Sequence, residues 1–153
     1  MPSAKTSAGI LLYRDGPEVL LVHPGGPFWA KKDAGAWSIP KGELGDGEEP
    51  LASALREFEE ETGTRLEPDA TIELGEVVQR GGKRVVAWGV EGNLDAATAQ
   101  SNTFVMEWPP RSGSQREFPE VDRAEWFSID AAREKINPAQ AELLDRLLAR
   151  LPG

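Results

Sequence analysis

Short apolar runs and periodic apolar positions divide the chain into predicted strands and helices. Residues 7–14 and 18–23 are apolar runs of strand length, and the turn residues between them predict a β-hairpin. Residues 72–80 and 84–91 follow a period of two and flank Gly81-Gly82, which predicts a second hairpin. Further strands are predicted at 37–39, 103–108 and 125–129, and loops at 40–47 and 111–120.

Two helices are predicted among these strands. The first runs from about Glu48 to Thr62 and ends at Gly63, a residue type that favours the left-handed turn after a helix. The second covers Pro138–Leu151, where leucines recur at helical spacing. Strands, helix, strands and helix in this order predict one α/β domain over residues 1–153, with helices packed on a mixed sheet.

The first helix separates an apolar stripe from an acidic one. At about 100° per residue, the apolar positions fall close together and are expected to face the core. Glu57, Glu60 and Glu61 have the i, i+3, i+4 spacing that brings side chains together, and we expect them on the opposite, exposed face. The apolar stripe consists of Leu51, Leu55, Phe58 and Thr62.

This acidic cluster is unfavourable for a helix on its own. Like charges three or four residues apart destabilise a helix by about 0.2–0.5 kcal/mol per pair. Carboxylates in the last turn also oppose the helix dipole, by about 0.3–1 kcal/mol each. A divalent cation removes both penalties, because carboxylate oxygens are ligands that Mg²⁺ and Mn²⁺ prefer. A solvated acidic face without any ion is the other interpretation of the helix alone.

The spacing of residues around this helix resembles a known family signature. Gly42 is followed after five residues by Glu48, and after seven more by Arg56-Glu-Phe-Glu-Glu-Glu-Thr-Gly63. This stretch resembles the signature of Nudix hydrolases. One position departs from it, since Thr64 stands where the family has an apolar residue, and this departure weakens a packing contact without touching a ligand.

The resemblance implies a fold, a metal site and its supporting contacts. The expected fold is the Nudix α/β/α sandwich with a mixed sheet. Glu57, Glu60 and Glu61 are the implied ligands of Mg²⁺ or Mn²⁺, with a backbone carbonyl at residue 41 or 42 completing the shell. Glu48 and Arg56 are expected to form a salt bridge that orients the cluster.

The implied reaction is the hydrolysis of a phosphoanhydride bond in a nucleoside diphosphate linked to another group. Nucleoside triphosphates and dinucleoside polyphosphates are both compatible substrates, and Lys41 and Gly42 are the expected substrate-binding residues. Glu57 or Glu60 is the predicted general base, because a carboxylate near the activated water accepts its proton.

Several further residues carry open alternatives. Glu117 and Glu120 in the polar stretch 111–120 are a second choice for the general base, and solvated loop charges are the other. Phe28 and Trp29 lie in a Gly/Pro-rich loop, where their rings either stack on a nucleobase or pack the loop. In the same loop, Lys31 and Lys32 are possible phosphate contacts. His23, the single histidine, is expected at a polar strand end, with a substrate contact as the alternative.

Composition limits the function further. The chain of 153 residues has no cysteine, which excludes disulfides, zinc–thiolate sites and a cysteine nucleophile and fits a reducing cytoplasm. Its net charge of −9 disfavours a nucleic-acid polymer or an anionic membrane as partner. No apolar stretch approaches the roughly 20 residues that span a bilayer. We therefore expect a cytoplasmic protein with a nucleotide-type small-molecule substrate, either a monomer or a homodimer.

Two rival functions remain at this stage. One is a non-catalytic module of Nudix fold that senses a nucleotide without cutting it. The complete set of signature carboxylates argues against it. The other is an acidic protein that binds divalent ions and no nucleotide.

Overall fold

The computed structural model describes residues 5–152, and a six-stranded mixed sheet forms its centre. The strand order is β4-β5-β1-β2-β8, and β3 pairs with β1 outside this order. The sheet strands are β1 Thr6–Arg14, β2 Glu18–Pro24, β3 Lys41–Glu43, β4 Ile72–Val78, β5 Arg84–Glu91 and β8 Val121–Ser128. The remaining two strands form a separate antiparallel ribbon, β6 Thr103–Glu107 and β7 Gln115–Pro119.

Three helices accompany the strands. They are α1 Pro50–Thr62, α2 Ile129–Lys135 and α3 Ala141–Arg150. Short 3₁₀ turns cover Arg80–Gly82, Ala96–Thr98 and Pro138–Gln140. Within residues 5–152, no helix combines the length and the apolar character needed to cross a membrane.

Strand β1 lies between two hydrophobic cores. Its residues 7–12 are all buried, as expected for a strand that is covered on both faces. Side chains of a strand alternate between the two faces, so Leu11 joins one core while Ile10 and Leu12 join the other. Phe58 of α1 packs in the second core, and Leu143 of α3 packs in the first. The predicted α/β/α sandwich with a mixed sheet is therefore confirmed.

Both predicted hairpins are present, and the first helix differs by two residues at its start. α1 begins at Pro50 because the side chain of Glu49 accepts a hydrogen bond from the backbone N–H of Ala52. Proline suits the first position of a helix, where its missing N–H is not needed. The helix ends at Gly63, which adopts a left-handed conformation with φ of 78°.

Three predictions about secondary structure were wrong. The predicted loop 40–47 contains β3, and the predicted loop 111–120 contains β7. The predicted strand 37–39 is limited to isolated bridges at Trp37 and Ser38. The residues of β3 and β7 are mostly polar, half-buried at Lys41 and Gly42 and mostly exposed in β7, so their pairing with β1 and β6 leaves no apolar period in the sequence.

The C-terminal part of the chain is also divided differently from the prediction. The helix expected over 138–151 is a 3₁₀ turn at Pro138–Gln140 followed by α3, and the short helix α2 was not predicted. The strand expected at 125–129 begins earlier, at Val121, and its last residue, Ser128, caps α2 by accepting a hydrogen bond from Ala131.

Two leucines of α3 test the contribution of the core. Leu144 is fully buried, whereas Leu148 on the same helix is 37% exposed. We expect Leu144→Ala to lower the free energy of unfolding by about 2–5 kcal/mol, because it leaves a cavity in a packed core. Leu148→Ala, the matched control, should cost less than about 1 kcal/mol. Urea unfolding measures both, and equal losses would contradict this packing.

Candidate active site

Helix α1 brings three glutamates to one end of the sheet. Its last turn contains no basic side chain to offset their charge. Two backbone carbonyls of this turn accept hydrogen bonds from other backbone N–H groups. The Gln100 N–H donates to the Thr62 carbonyl at 3.0 Å, and the Asn102 N–H donates to the Glu60 carbonyl at 2.8 Å. These bonds tie the segment before the β6–β7 ribbon to the acidic end of the helix.

The glutamates do not lie on the exposed face that the sequence predicted. The buried residues of α1 are Ser53, Ala54, Phe58 and Thr62, while Leu51 and Leu55 are only half-buried. The helix is thus turned relative to the predicted stripe, because the small Ser53 and Ala54 lie against the sheet. Glu57, Glu60 and Glu61 are half-buried as a result. Glu59 is the exposed glutamate of this turn.

Two glutamates contact the backbone of β3. The Lys41 N–H donates to Glu61 Oε1 at 3.3 Å. The Glu57 carboxyl lies directly against Gly42, where a Cβ atom would be only 2.0 Å from Glu57 Cδ. Only glycine therefore leaves room for this carboxyl group at position 42. The pairing of β3 with β1 holds the strand in place for both contacts.

Arg56 joins three carboxylates. Its Nη1 donates to both Glu57 Oε1 and Glu60 Oε1 at 3.0 Å. Its Nη2 donates to Glu48 Oε1 at 2.9 Å and its Nε to Glu48 Oε2 at 3.2 Å. The expected Glu48–Arg56 ion pair is thus present, and so is the i, i+4 pair of Arg56 with Glu60. Glu48 also accepts a bond from Gly45 N–H at 2.7 Å, which fixes the loop before the helix.

Burial and neighbouring carboxylates raise the affinity of Glu57, Glu61 and Glu120 for protons. Burial raises the pKa of Glu61 to about 8, with the charges of Glu57 and Glu120 adding to the effect. Burial and the charge of Glu60 raise the pKa of Glu57, and the same two causes raise that of Glu120. The four side chains therefore form one electrostatic group, which we call the carboxylate group: Glu57, Glu60, Glu61 and Glu120.

Of the two alternative bases in the stretch 111–120, only Glu120 belongs to this group. It lies between β7 and β8, and its backbone N–H donates to Asn102 at 2.8 Å. Both glutamates are exposed, but Glu117 lies within the ribbon, opposite Val105, whereas the charge of Glu120 contributes to the raised pKa of Glu61. Nothing in the apolar pattern distinguishes these two glutamates, because the contact depends on how the ribbon returns to the sheet.

A small cavity opens beside the carboxylate group. Its volume is about 130 Å³, and Lys41, Glu61 and Glu120 contribute its charged lining. The apolar and hydroxyl lining comes from the ends of β2 and β8 and from the residues before β3. Lys41 is half-buried here, and its burial lowers the pKa of its amine.

Comparison with known proteins decides the family. A family model described as the NUDIX domain matches residues 4–147. The chain belongs to the Nudix family. An RNA pyrophosphohydrolase of Rhodospirillum rubrum is 27% identical over 161 residues, covering 99% of this chain and 94% of the relative. An 8-oxo-(d)GTP phosphatase of Mycolicibacterium smegmatis is 31% identical over 117 residues, which are 74% of this chain but 30% of that longer relative.

Solved structures agree on the Nudix fold. A Caenorhabditis elegans Ap4A hydrolase in a binary complex has a TM-score of 0.66 at 23% identity, with coverage of 95% of this chain and 96% of that one. The NUDIX domain of Shewanella oneidensis NrtR with ADP ribose has a TM-score of 0.67 at 18% identity, covering 99% and 91%. At sequence identities this low, structural similarity is evidence for the fold alone. The prediction of a Nudix hydrolase, made from the signature, is confirmed by the family model and the curated relatives.

The Nudix family uses divalent metal ions, and the carboxylate group is the place in this domain where such an ion would bind. In the arrangement described for residues 5–152, no three His, Cys, Asp or Glu side chains converge closely enough to hold a metal ion. Arg56 Nη1 donates to both Glu57 and Glu60, and the Lys41 N–H donates to Glu61, so oxygens of all three carboxylates already accept hydrogen bonds from the protein. The donor chemistry nevertheless fits, since carboxylate oxygens are the preferred ligands of Mg²⁺ and Mn²⁺. The raised pKa values of Glu57, Glu61 and Glu120 come first from burial, and neighbouring carboxylates add to them by a repulsion that a divalent cation would relieve.

His23 has a structural position in this Nudix domain rather than the polar strand end that was predicted. Its side chain is fully buried. Nδ1 lies 2.8 Å from Asp122 Oδ1, and Nε2 lies 2.6 Å from the Lys32 carbonyl. The histidine thereby connects β2 to β8 and to the loop after β2. The sequence does not predict these contacts, because Asp122 is distant in the chain and Lys32 lies in a loop.

The contact between Gly42 and Glu57 gives a test of the site. Gly42→Ala would place a methyl group where the Glu57 carboxyl lies, so the flexible glutamate must move. We expect about 10–100-fold weaker Mn²⁺ binding, measured by calorimetry, with little change in the thermal midpoint. Gly92→Ala is the control, since its nearest neighbour is Leu12 Cδ1 at 3.1 Å, in the core. Unchanged Mn²⁺ affinity in Gly42→Ala would contradict a role for Glu57 in holding a metal.

Proposed function

We propose that residues 1–153 act as one Mg²⁺- or Mn²⁺-dependent Nudix domain that hydrolyses a phosphoanhydride bond in a nucleoside diphosphate derivative. The single observation that carries this proposal is the carboxylate group beside the Lys41 cavity. Two curated relatives support the cleavage of a phosphate linkage by their names: one is called an RNA pyrophosphohydrolase and the other an 8-oxo-(d)GTP phosphatase.

The proposed metal ligands are Glu57, Glu60 and Glu61. A divalent cation held there neutralises phosphate charge, activates a water molecule and stabilises the leaving phosphate. Lys41 and the Gly42 backbone are the proposed phosphate contacts, and both lie on β3 next to Glu57 and Glu61. Glu48 and Arg56 support the site, because their ion pair connects the Gly45 loop to the helix that carries the ligands.

The proton of the attacking water goes to a carboxylate. Glu57 and Glu60 are the proposed general bases, since both lie on the helix that carries the proposed ligands. Glu120 is the second candidate, and its membership in the carboxylate group favours it over Glu117. A base needs a pKa near the working pH, and the raised pKa values of Glu57 and Glu120 are shifted in that direction.

The proposed substrate is a small nucleotide rather than a nucleic-acid polymer, because the net charge of −9 opposes a long polyanion. Nucleoside triphosphates and dinucleoside polyphosphates both contain the phosphoanhydride bond that this proposal requires. We also propose a cytoplasmic location, which the absence of cysteine fits, and a monomer or homodimer as the working form.

Neighbouring glutamates of α1 provide a matched test of the function. We expect Glu60→Gln to lower kcat by about 10²–10⁴-fold, because it removes a carboxylate needed for proton transfer or metal binding. Glu59→Gln changes the same charge on the exposed side and should alter kcat less than about twofold.

The assay is phosphate release from nucleoside triphosphates, dinucleoside polyphosphates and 5′-triphosphorylated RNA with Mg²⁺ or Mn²⁺. Reaction in ¹⁸O-water identifies the phosphorus that is attacked. Full turnover in Glu60→Gln would overturn the site. Binding of nucleotides without any turnover by the unmodified protein would instead support a sensing module.

A further inference from the structure

Two aromatic rings are exposed on the loop after β2. Phe28 is 61% exposed and Trp29 is 41% exposed. Among the large hydrophobic side chains that are exposed in residues 5–152, these two alone are aromatic. Trp108, at the end of β6, meets Phe28 edge to face with ring centroids 5.4 Å apart. We call Phe28, Trp29 and Trp108 the aromatic surface.

The loop that carries this surface is held firmly against the ribbon. Gly25 lies so close to Pro119 that a Cβ atom would be 1.9 Å from its carbonyl oxygen. Gly26, with φ of +94°, would bring a Cβ atom to 3.0 Å from the Phe104 ring. The Lys32 carbonyl is fixed by the buried His23. The backbone on either side of the rings is therefore already fixed, which limits the loop entropy lost on binding.

The aromatic surface starts next to the carboxylate group. The Gly25 N–H donates to the Glu120 carbonyl at 2.9 Å. Phe28 follows three residues later, so its Cα lies within about 11 Å of the Gly25 Cα. A molecule with one end at Glu120 can thus reach the rings of this loop.

The cavity beside the carboxylate group is too small for a whole nucleotide. Its volume of about 130 Å³ compares with about 300–1,000 Å³ for pockets that enclose small-molecule ligands. Part of a bound nucleotide must therefore lie on the surface outside the cavity. Exposed aromatic rings are suited to a nucleobase, because every base has a flat face that stacks.

The local charge also fits a nucleotide. Lys31 and Lys32 are exposed in the same loop, and no acidic side chain among the described residues forms an ion pair with either. The Lys32 Nζ lies 5.0 Å from the centre of the Trp29 ring. In a protein with a net charge of −9, this loop combines uncompensated positive charge with aromatic faces.

We propose that the aromatic surface stacks on the nucleobase of the nucleotide whose diphosphate lies at the carboxylate group, with Lys31 and Lys32 beside its phosphates. This inference rests on the proposed function, and it adds a recognition site for the base. The residues of this site lie outside the Nudix signature, which ends at residue 64.

Direct binding tests this site without requiring turnover. The probes are a nucleoside triphosphate with a methylene group in place of the α,β-bridging oxygen and inorganic tripolyphosphate, which has no base. We expect Phe28→Leu and Trp29→Leu to bind the nucleotide about 5–150-fold more weakly and tripolyphosphate unchanged. Phe28→Tyr and Trp29→Phe, which keep a ring, should retain most of the affinity. Isothermal calorimetry with Mg²⁺ measures all of these constants.

Val105→Ala is the control. Val105 is 61% exposed on the β6–β7 ribbon, and its side chain points to the face opposite that of Phe104, which contacts the loop after β2 at Gly26. It should leave both affinities unchanged. Leucine variants that bind the nucleotide normally, or whose affinity for tripolyphosphate falls equally, would overturn the stacking site.

Steady-state kinetics separate the two proposals: turnover with an unchanged KM in the leucine variants refutes stacking alone. Absence of turnover in the unmodified protein, with base-dependent binding retained, refutes the proposed function alone.

Discussion

Negative charge at the end of α1 is the constraint on which the site depends. Four glutamates lie in its last two turns, three of them half-buried, and the last turn contains no basic residue; Glu120, directly before β8, adds a further carboxylate. Arg56 is the main compensating cation, and it bonds to Glu48, Glu57 and Glu60 at once. Burial is the main cause of the raised pKa of Glu61, about 8, and the charges of Glu57 and Glu120 add to it. A site with uncompensated carboxylates binds a divalent cation favourably, because the ion relieves repulsion already present.

The sheet determines which backbone groups lie beside these carboxylates. β3 has only three residues, yet its pairing with β1 brings the Lys41 N–H to Glu61 and the Gly42 Cα against Glu57. β1 itself is fixed by burial on both faces. The core thus extends to the site through one short strand, which keeps the proposed metal ligands and the proposed phosphate contacts in a fixed relation.

Backbone hydrogen bonds connect the site to the aromatic surface. Asn102 donates to Glu60 on α1 and accepts from Glu120, and the carbonyl of Glu120 accepts from Gly25. The acidic end of the helix, the base of the ribbon and the loop with Phe28 therefore share one framework. Recognition of a base and cleavage of its diphosphate need such a framework, because both depend on the distance between the two groups of residues.

The sequence by itself determined the hairpins, helix α1 and the family, because these depend on local spacing: Gly42, Glu48 and the segment from Arg56 to Gly63 lie within one short stretch. Only the tertiary structure decided which side of α1 is buried, because Ser53 and Ala54 are buried while Leu51 and Leu55 are only half-buried. It also decided that Glu120 joins the carboxylate group and Glu117 does not. β3, β7 and the burial of His23 depend on partners distant in the chain, and polar residues paired in this way leave no period in the sequence.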